Sequence, residues 1–294
     1  MNLEVEYYSG AGNLFTIIDN KKYNIKKELF KNFAKILTAE NKITKGKTEG
    51  IIVLNPSNSN NFEVWFFNPD GSSGMMCGNG GRCAINFASA KEYIIKEKYD
   101  SKINFIMNEK IYYGEIYKNK NFNNSNTDNY YDINNNLIGI YFLPPFTISE
   151  LLEIDIREEK IIGNYVNVGT DHFVIKVNDV NNIDVNNLGR TIRYSPKFSP
   201  NGVNVNFYSI LKNDVLNIRT YERGVENETG ACGTGAISTA LIYNKITNKN
   251  NITLNTKSKN ILKVEITKTK NNIIENVLLI GNAIKLGESI IEIK

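Results

Sequence analysis

Two cysteine-containing loops decide the fold that this sequence predicts. Residues 74–83 read Gly-Met-Met-Cys-Gly-Asn-Gly-Gly-Arg-Cys, and residues 228–236 read Glu-Thr-Gly-Ala-Cys-Gly-Thr-Gly-Ala. In each loop a cysteine, Cys77 or Cys232, precedes a glycine, a small polar residue and a second glycine, and a helical pattern follows. Glycines permit a tight turn, and the helix start directs backbone N–H groups and a positive dipole end at the thiol. That setting activates a thiol and binds a carboxylate, so the pair indicates two thiols that face one small anionic substrate.

The segments around the two loops follow the same order in each half of the chain. Apolar periodicity predicts strands over 3–8, 13–18, 51–54, 62–67, 103–107, 111–117, 138–143, 173–177, 203–211 and 215–221, with further strands to the end, and helices over 26–39, 79–97 and 233–245. Each half therefore presents strands, a glycine turn with a cysteine, and a helix. This repeat of architecture predicts two similar, pseudo-symmetric α+β domains with an active site in the cleft between them.

An asparagine-rich segment separates the two halves. Residues 118–137 have low complexity, which predicts a long surface loop, and we place the domain boundary there. The N-terminal domain is then expected to comprise residues 1–135 and 282–294, because the last predicted strand, 286–293, is expected to return to it. The C-terminal domain is expected to comprise residues 136–281.

The composition argues against several classes of protein. The chain has 294 residues, 41% of them hydrophobic, and a net charge of +4 from scattered lysines, which gives little support to nucleic-acid binding. Three cysteines are too few for a disulfide scaffold, and with one histidine they show no metal-ligand spacing. No signal-peptide pattern and no apolar run of membrane-spanning length is present. A reducing, cytoplasmic location, no metal and no membrane partner are the expectations.

A pair of thiols suits racemisation at an amino-acid α-carbon. One group must remove the proton from one face, and another must return a proton to the opposite face. The developing charge needs stabilisation, which hydrogen bonds from helix starts to the carboxylate can supply without a cofactor. A thiolate and a thiol at Cys77 and Cys232 fit this chemistry.

The motifs resemble those of one family over nearly the whole chain. Residues 68–72, Asn-Pro-Asp-Gly-Ser, continued by 77–83, resemble the first signature of the diaminopimelate epimerases, and residues 221–235 resemble the second. Residues 10–13, Gly-Ala-Gly-Asn, and 201–205, Asn-Gly-Val-Asn-Val, are similar to weaker family patches in the same order.

The resemblance implies a fold, an activity and a set of roles. It implies domains in which a mixed or antiparallel sheet wraps around a central helix, a homodimer, and the cofactor-independent interconversion of LL- and meso-diaminopimelate for lysine and peptidoglycan precursors. Cys77 and Cys232 would be the acid and base. The substrate-binding residues would be Gly78, Asn79, Gly233 and Thr234 at the reacting carboxylate, and Asn13, Asn68, Thr170, Asn204, Glu222 and Arg223 at the ammonium groups and distal centre.

Departures from the family pattern leave other functions open. Residues 169–172 read Gly-Thr-Asp-His where the family often has Gly-Asn-Pro-His, and Glu49 and Leu14 also depart from it. A racemase for another polar amino acid is therefore the runner-up, and a thiol redox protein or a catalytically inactive binding protein are the other classes. Cys83 is interpreted as a core thiol. His172, the single histidine, is interpreted as a residue near the pocket, with a catalytic role and a structural or supporting role both left open.

Overall fold

The computed structural model describes residues 1–73, 77–94, 102–117, 137–156, 159–212 and 214–293. Most of the asparagine-rich loop, the last residues of the predicted helix 79–97, and residues 74–76 of the first cysteine loop lie outside the described residues. The strands are β1 Asn2–Gly10, β2 Asn13–Asp19, β3 Gly50–Asn55, β4 Phe62–Phe67, β5 Ile103–Met107, β6 Lys110–Tyr117, β7 Leu137–Phe142, β8 Thr147–Ile156, β9 Glu159–Asn167, β10 Asp171–Lys176, β11 Asn204–Lys212, β12 Val215–Glu222, β13 Asn227–Thr229, β14 Asn251–Asn255, β15 Ile261–Lys268, β16 Ile274–Asn282 and β17 Ile284–Glu292. The α-helices are α1 Lys27–Leu37, α2 Gly78–Ala90, α3 Val185–Arg193 and α4 Gly233–Thr247, with short 3-10 turns at Val180–Asn182 and Pro196–Phe198.

The chain divides into two compact units. The first unit holds residues 1–140 and 281–294, and the second holds residues 141–280. In the first unit the paired strands follow the order β17-β1-β2-β3-β4-β5-β6. The β2–β3 and β4–β5 pairs are parallel and the others are antiparallel, so the sheet is mixed.

A central helix and an outer helix cover the two faces of this first sheet. Helix α2 is buried over most of its length and contacts β1, β2, β3 and β6, so the sheet wraps around it. Helix α1 packs on the other face through Phe30, Ala34 and Leu37. Strand β3 is buried at all six positions because both of its faces meet a helix, which explains its unbroken apolar sequence.

The second unit repeats the order and the directions of these seven strands and adds an eighth strand, β16. Its paired strands follow the order β8-β9-β10-β11-β12-β14-β15-β16, with β10–β11 and β12–β14 parallel and the others antiparallel. Helix α4 is apolar around most of its circumference and contacts β9, β10, β11 and β15, as a central helix does. Helix α3 packs on the other face through Val185 and Ile192.

Comparison of the two units confirms the predicted fold class of two similar α+β halves. In each, the outer helix joins the first parallel pair of strands, and the cysteine loop and central helix join the second. The prediction was wrong about the end of the helix over 79–97. That helix ends at Ala90, and Glu92 adopts a left-handed φ of 59°, which an α-helix cannot continue through.

Candidate active site

Cys77 caps the N-terminus of the first central helix. Its backbone is extended, with φ −108° and ψ 109°, and its Sγ accepts a hydrogen bond from the Gly80 N–H at 3.4 Å. Ser, Thr, Asp and Asn are the usual residues at this position, because their side-chain oxygen accepts the same N–H. A thiol here has its sulfur at the positive end of the helix dipole, which favours the thiolate.

Cys232 caps the second central helix in almost the same geometry. Its φ is −118° and its ψ is 115°, and its Sγ accepts from the Gly235 N–H at 3.4 Å. The Thr234 hydroxyl lies 3.6 Å from the same sulfur. The side chain of Cys232 is buried. The two thiols thus occupy equivalent places in the two units.

The first residues of each central helix have a backbone geometry that suits an anion. Gly78 in α2, and Gly233 and Thr234 in α4, follow the capping cysteines directly. Backbone N–H groups in the first turn point out of the helix end, where they donate to a carboxylate or a phosphate. Each helix start therefore combines a thiol with backbone N–H groups of the kind that bind anions.

The polar residues behind Cys77 form a chain of hydrogen bonds that runs from the buried Arg82 to the exposed Glu49. Arg82 donates from Nη2 to Oδ1 of Asn79 at 2.7 Å, and Asn79 donates from Nδ2 to Oδ1 of Asn13 at 3.0 Å. Asn13 in turn donates from Nδ2 to the carboxylate of Glu49. Gly10 lies beneath this first turn, and a Cβ there would be 2.5 Å from the Asn79 carbonyl oxygen. The absence of a side chain at that position lets β1 approach the start of α2.

Asn68 lies in the turn that follows β4. Its side chain donates to the Ser72 hydroxyl at 2.9 Å, and its N–H donates to the Ser72 carbonyl at 3.0 Å. Gly71 has a φ of 84°, a left-handed conformation that favours glycine. The Asp-Gly of the motif thus shapes the turn that carries Asn68.

In the second unit, Asn204 and Arg223 are joined through a residue that the sequence did not single out as a site residue. Asn204 donates to the Asp171 carbonyl at 2.9 Å and accepts the Arg223 N–H at 2.9 Å. The Arg223 guanidinium donates from Nη1 to Asp171 Oδ2 at 3.0 Å. Although partial burial acts to raise the pKa of Asp171, hydrogen bonds from Tyr165, Asn167 and Arg223 bring it below its ordinary value. Asp171 is therefore an ionised anchor for Arg223.

Glu222 points to a different partner. Its Oε2 accepts from the Thr229 hydroxyl at 2.9 Å, and burial raises its pKa against the lowering effect of that hydrogen bond. The adjacent Arg223 pairs with Asp171 and does not form an ion pair with Glu222. The two neighbours in sequence thus belong to separate contacts.

His172 is fully buried. Its Nε2 lies 2.9 Å from the Thr170 hydroxyl, and its Nδ1 lies 3.0 Å from Nδ2 of Asn206. Asn206 also accepts from the Thr220 hydroxyl at 2.9 Å. Burial and the nearby Arg223 charge lower the pKa of His172 to about 3. The imidazole is therefore neutral, and it fixes the hydroxyl of Thr170.

The structure brings most predicted site residues into three groups. The first group contains Cys77, Gly78, Asn79 and Asn13, the second contains Cys232, Gly233 and Thr234, and the third contains Asn204 and Arg223. Thr170 joins His172, while Asn68 and Glu222 are held by contacts of their own.

Sequence reasoning did not assign site roles to four supporting residues. These are Glu49, Arg82, Asp171 and Asn206. A signal existed for Arg82, because it is the one charged residue in α2 and a charged residue that is buried needs partners. The described part of the chain has no group of three or more Cys, His, Asp or Glu side chains that could hold a metal. No helix in that part is long and apolar enough to span a membrane.

The chain is similar in sequence to two diaminopimelate epimerases and in fold to a solved structure. The chain is 32% identical over 287 residues to the diaminopimelate epimerase of Aquifex aeolicus (strain VF5), which covers 95% of this chain and 94% of that protein. It is 35% identical over 273 residues to the diaminopimelate epimerase of Hydrogenobaculum sp. (strain Y04AAS1), with coverage of 90% and 91%. A crystal structure of the Bacillus anthracis phenazine biosynthesis protein of the PhzF family covers all of both chains with a TM-score of 0.75 at 13% identity, which shows a shared fold.

The family model decides the relationship. The model described as diaminopimelate epimerase matches residues 6–104 and 164–285, a span that includes both capping cysteines and the hydrogen-bonded groups around them. The same signatures that frame the two helix starts are the ones that this model covers. The chain therefore belongs to the diaminopimelate epimerase family.

Proposed function

We propose that this chain interconverts LL- and meso-diaminopimelate, with Cys77 and Cys232 as the two proton-transfer groups. The observation that carries the proposal is the repeated thiol. In each unit a cysteine caps a buried central helix and accepts the N–H of the residue three positions later. Membership of the family makes the enzyme an isomerase and supports diaminopimelate as its substrate.

The proposed reaction removes one proton from the α-carbon and delivers another proton to its opposite face. A thiolate removes the α-proton and becomes a thiol, and the electron pair of the broken C–H bond passes into the adjacent carboxylate. The second thiol delivers a proton to the opposite face of the carbon and becomes a thiolate. The reverse reaction exchanges the two roles. The N–H groups of Gly78, Asn79, Gly233 and Thr234 would stabilise the carboxylate as its charge increases.

The remaining predicted residues would hold the rest of the substrate. A second carboxylate suits the guanidinium of Arg223, and ammonium groups suit the carboxylate of Glu222 and the amide oxygens of Asn13, Asn68 and Asn204. Thr170 would contribute its hydroxyl, which His172 orients.

We further propose a cytoplasmic homodimer. The family resemblance implies a dimer, and Leu286 and Ile290 are large apolar side chains that β17 leaves 40% and 66% exposed. Light scattering after size exclusion should give about twice the 33.3 kDa mass of the chain. A monomer mass at micromolar concentration would contradict this proposal.

The test is proton NMR of LL-diaminopimelate in D2O with reduced enzyme and no added cofactor. The α-proton signal should disappear and the meso isomer should form. Cys77→Ala and Cys232→Ala should each abolish conversion, because epimerisation needs both groups.

Cys83→Ala is the matched control. Cys83 lies in the helix that Cys77 caps. It is fully buried, and burial raises the pKa of its thiol, so the Cys83→Ala variant should retain conversion. Conversion that persists in Cys77→Ala would refute the assigned role. Exchange with another polar amino acid, and none with diaminopimelate, would refute the substrate and favour the runner-up.

A further inference from the structure

Four side chains of the first unit form one continuous hydrogen-bonded chain, which we call the polar relay. It runs from Arg82 through Asn79 and Asn13 to Glu49. Three of the four side chains are buried: Arg82 is 0% exposed, Asn79 is 2% exposed and Asn13 is 4% exposed. Two of them, Asn79 and Asn13, belong to the proposed substrate site. The relay therefore connects that site to a buried cation at one end and to the exposed carboxylate of Glu49 at the other.

The Arg82 end of the relay can only donate hydrogen bonds. A guanidinium has five N–H groups and no acceptor. Burial lowers the pKa of Arg82 to about 10, so the group remains protonated at neutral pH. Asn79 must therefore turn its oxygen toward Arg82, which directs its NH2 group at Asn13.

At the Glu49 end, the relay terminates in a carboxylate, which accepts hydrogen bonds and cannot donate them. A carboxylate has no N–H or O–H to offer, so Asn13 must turn its NH2 group toward Glu49 and its oxygen toward Asn79. The backbone of Glu49 is held in place, because its N–H donates to the Leu14 carbonyl at 2.7 Å. Both ends thus impose the same direction on the two amides between them.

We propose that Arg82 and Glu49 are positioning residues that together lock the orientation of the Asn79 and Asn13 carboxamides, and so fix which atom of Asn13 faces the substrate. This inference rests on the proposed function for the role of Asn13. An amide presents nearly the same shape when it is flipped but exchanges donor for acceptor. A substrate ammonium only donates, so a flipped Asn13 would oppose it.

The second unit shows what a relay without such ends looks like. There the chain runs from Thr220 through Asn206 and His172 to Thr170. Hydroxyl groups and a neutral imidazole can each donate or accept, so the direction of this chain is not imposed by its ends. The first unit's relay differs, because one of its end residues only donates hydrogen bonds and the other only accepts them.

The first test reverses the polarity of one member. Asn13→Asp places two carboxylates side by side and should lower the thermal midpoint by several degrees. Glu49→Gln should lower the midpoint slightly in the natural background, because a charge-assisted bond becomes a neutral one. In the Asn13→Asp background the same change should raise the midpoint by about 3 °C, because the new amide donates to the new carboxylate. A lowering in both backgrounds would overturn the proposal.

The second test addresses Arg82. Arg82→Lys retains a donor-only cation, whereas Arg82→Gln can donate or accept. Either Arg82 or Glu49 alone suffices to fix the direction of the two amides. The double variant Arg82→Gln with Glu49→Gln should therefore raise KM for diaminopimelate by about fivefold more than the product of the increases in the two single variants. Arg82→Lys combined with Glu49→Gln is the matched control and should show no such excess. A simple product in the Arg82→Gln double variant would contradict the lock.

These readouts separate the relay from the proposed function. The midpoints are measured without substrate, so a reversal of sign accompanied by no turnover of diaminopimelate supports the relay and refutes the proposed function. Turnover accompanied by no reversal overturns the relay alone. If the Arg82 variants fail to fold, the reversal at Asn13 and Glu49 still decides the question.

Discussion

Acidification should destabilise the fold through His172. This residue is fully buried, and both ring nitrogens have hydrogen-bonding neighbours in Thr170 and Asn206. Its pKa falls from 6.5 when it is unperturbed to about 3 in the fold, chiefly because burial opposes the charged form. Between these values the unfolded chain binds a proton that the folded chain does not bind. Stability from this residue is therefore complete above pH 6.5 and is lost progressively as the pH falls toward 3.

The size of this effect follows from the two pKa values. Between pH 7 and pH 5 the free energy of unfolding should fall by about 2 kcal/mol through His172 alone. Urea denaturation followed by far-ultraviolet circular dichroism at both pH values measures the change. His172→Gln removes the titrating group, so the variant should lose about 2 kcal/mol less than the natural protein over the same interval.

Comparing the loss of unfolding free energy between pH 7 and pH 5 in the two proteins separates the effect of the imidazole from other effects of acid. Carboxylates contribute equally to both proteins, and the hydrogen bond and volume lost in His172→Gln give an offset that does not depend on pH. The reasoning would be refuted by equal losses of stability in the two proteins between pH 7 and pH 5. That result would mean that His172 takes up its proton within the folded state.

Two further substitutions test the support of the second helix start and of the arginine. Gly235→Ala should destabilise the protein by about 1–3 kcal/mol in urea denaturation and impair turnover, because the added Cβ would lie 2.3 Å from Oδ1 of Asn206. Gly46→Ala is the control, and it should leave stability unchanged because a Cβ there would have nothing within 4 Å. Equal effects of the two changes would contradict the steric argument. Asp171→Asn should raise KM for diaminopimelate roughly fivefold with kcat nearly unchanged, since it weakens a partly exposed ion pair that orients Arg223. An unaltered KM in steady-state kinetics would show that Arg223 needs no such anchor.

The sequence predicted those elements whose residues alternate or repeat strongly. Strands β4 and β5 begin and end where the apolar pattern does, and helix α1 shows a clear apolar stripe. Helix α3 and the hairpin of β8 and β9 were not predicted. The sequence of α3, Val-Asn-Asn-Leu-Gly-Arg-Thr-Ile-Arg, has few apolar positions and an internal glycine, and β8 buries only two of its ten residues. These elements form because a parallel crossover and a sheet edge require them, which local periodicity does not encode.

The candidate site divides in the same way between local and long-range information. The two capping cysteines could be predicted because the cap, the glycines and the helix start are contiguous in sequence. Asn206 could not, because it reaches His172 only through the parallel pairing of β10 with β11. Glu49 likewise precedes a strand that pairs in parallel with β2, where Asn13 lies. Partners joined by parallel pairing are separated by a whole crossover, so their proximity is a result of the fold.

The two units also show why the internal repeat is clear in topology and faint in sequence. The repeated feature at each thiol is a backbone arrangement, an extended capping residue whose sulfur accepts a helix N–H at 3.4 Å. In the second unit the glycine three positions after the cysteine is also needed, because a side chain at Gly235 would collide with Asn206, whereas a Cβ at Gly80 would meet nothing closer than 3.4 Å. This backbone arrangement does not determine which side chains support it. One unit uses a cation and a carboxylate through two amides, and the other uses a neutral imidazole with hydroxyl groups. A backbone geometry can therefore repeat while almost every supporting residue changes.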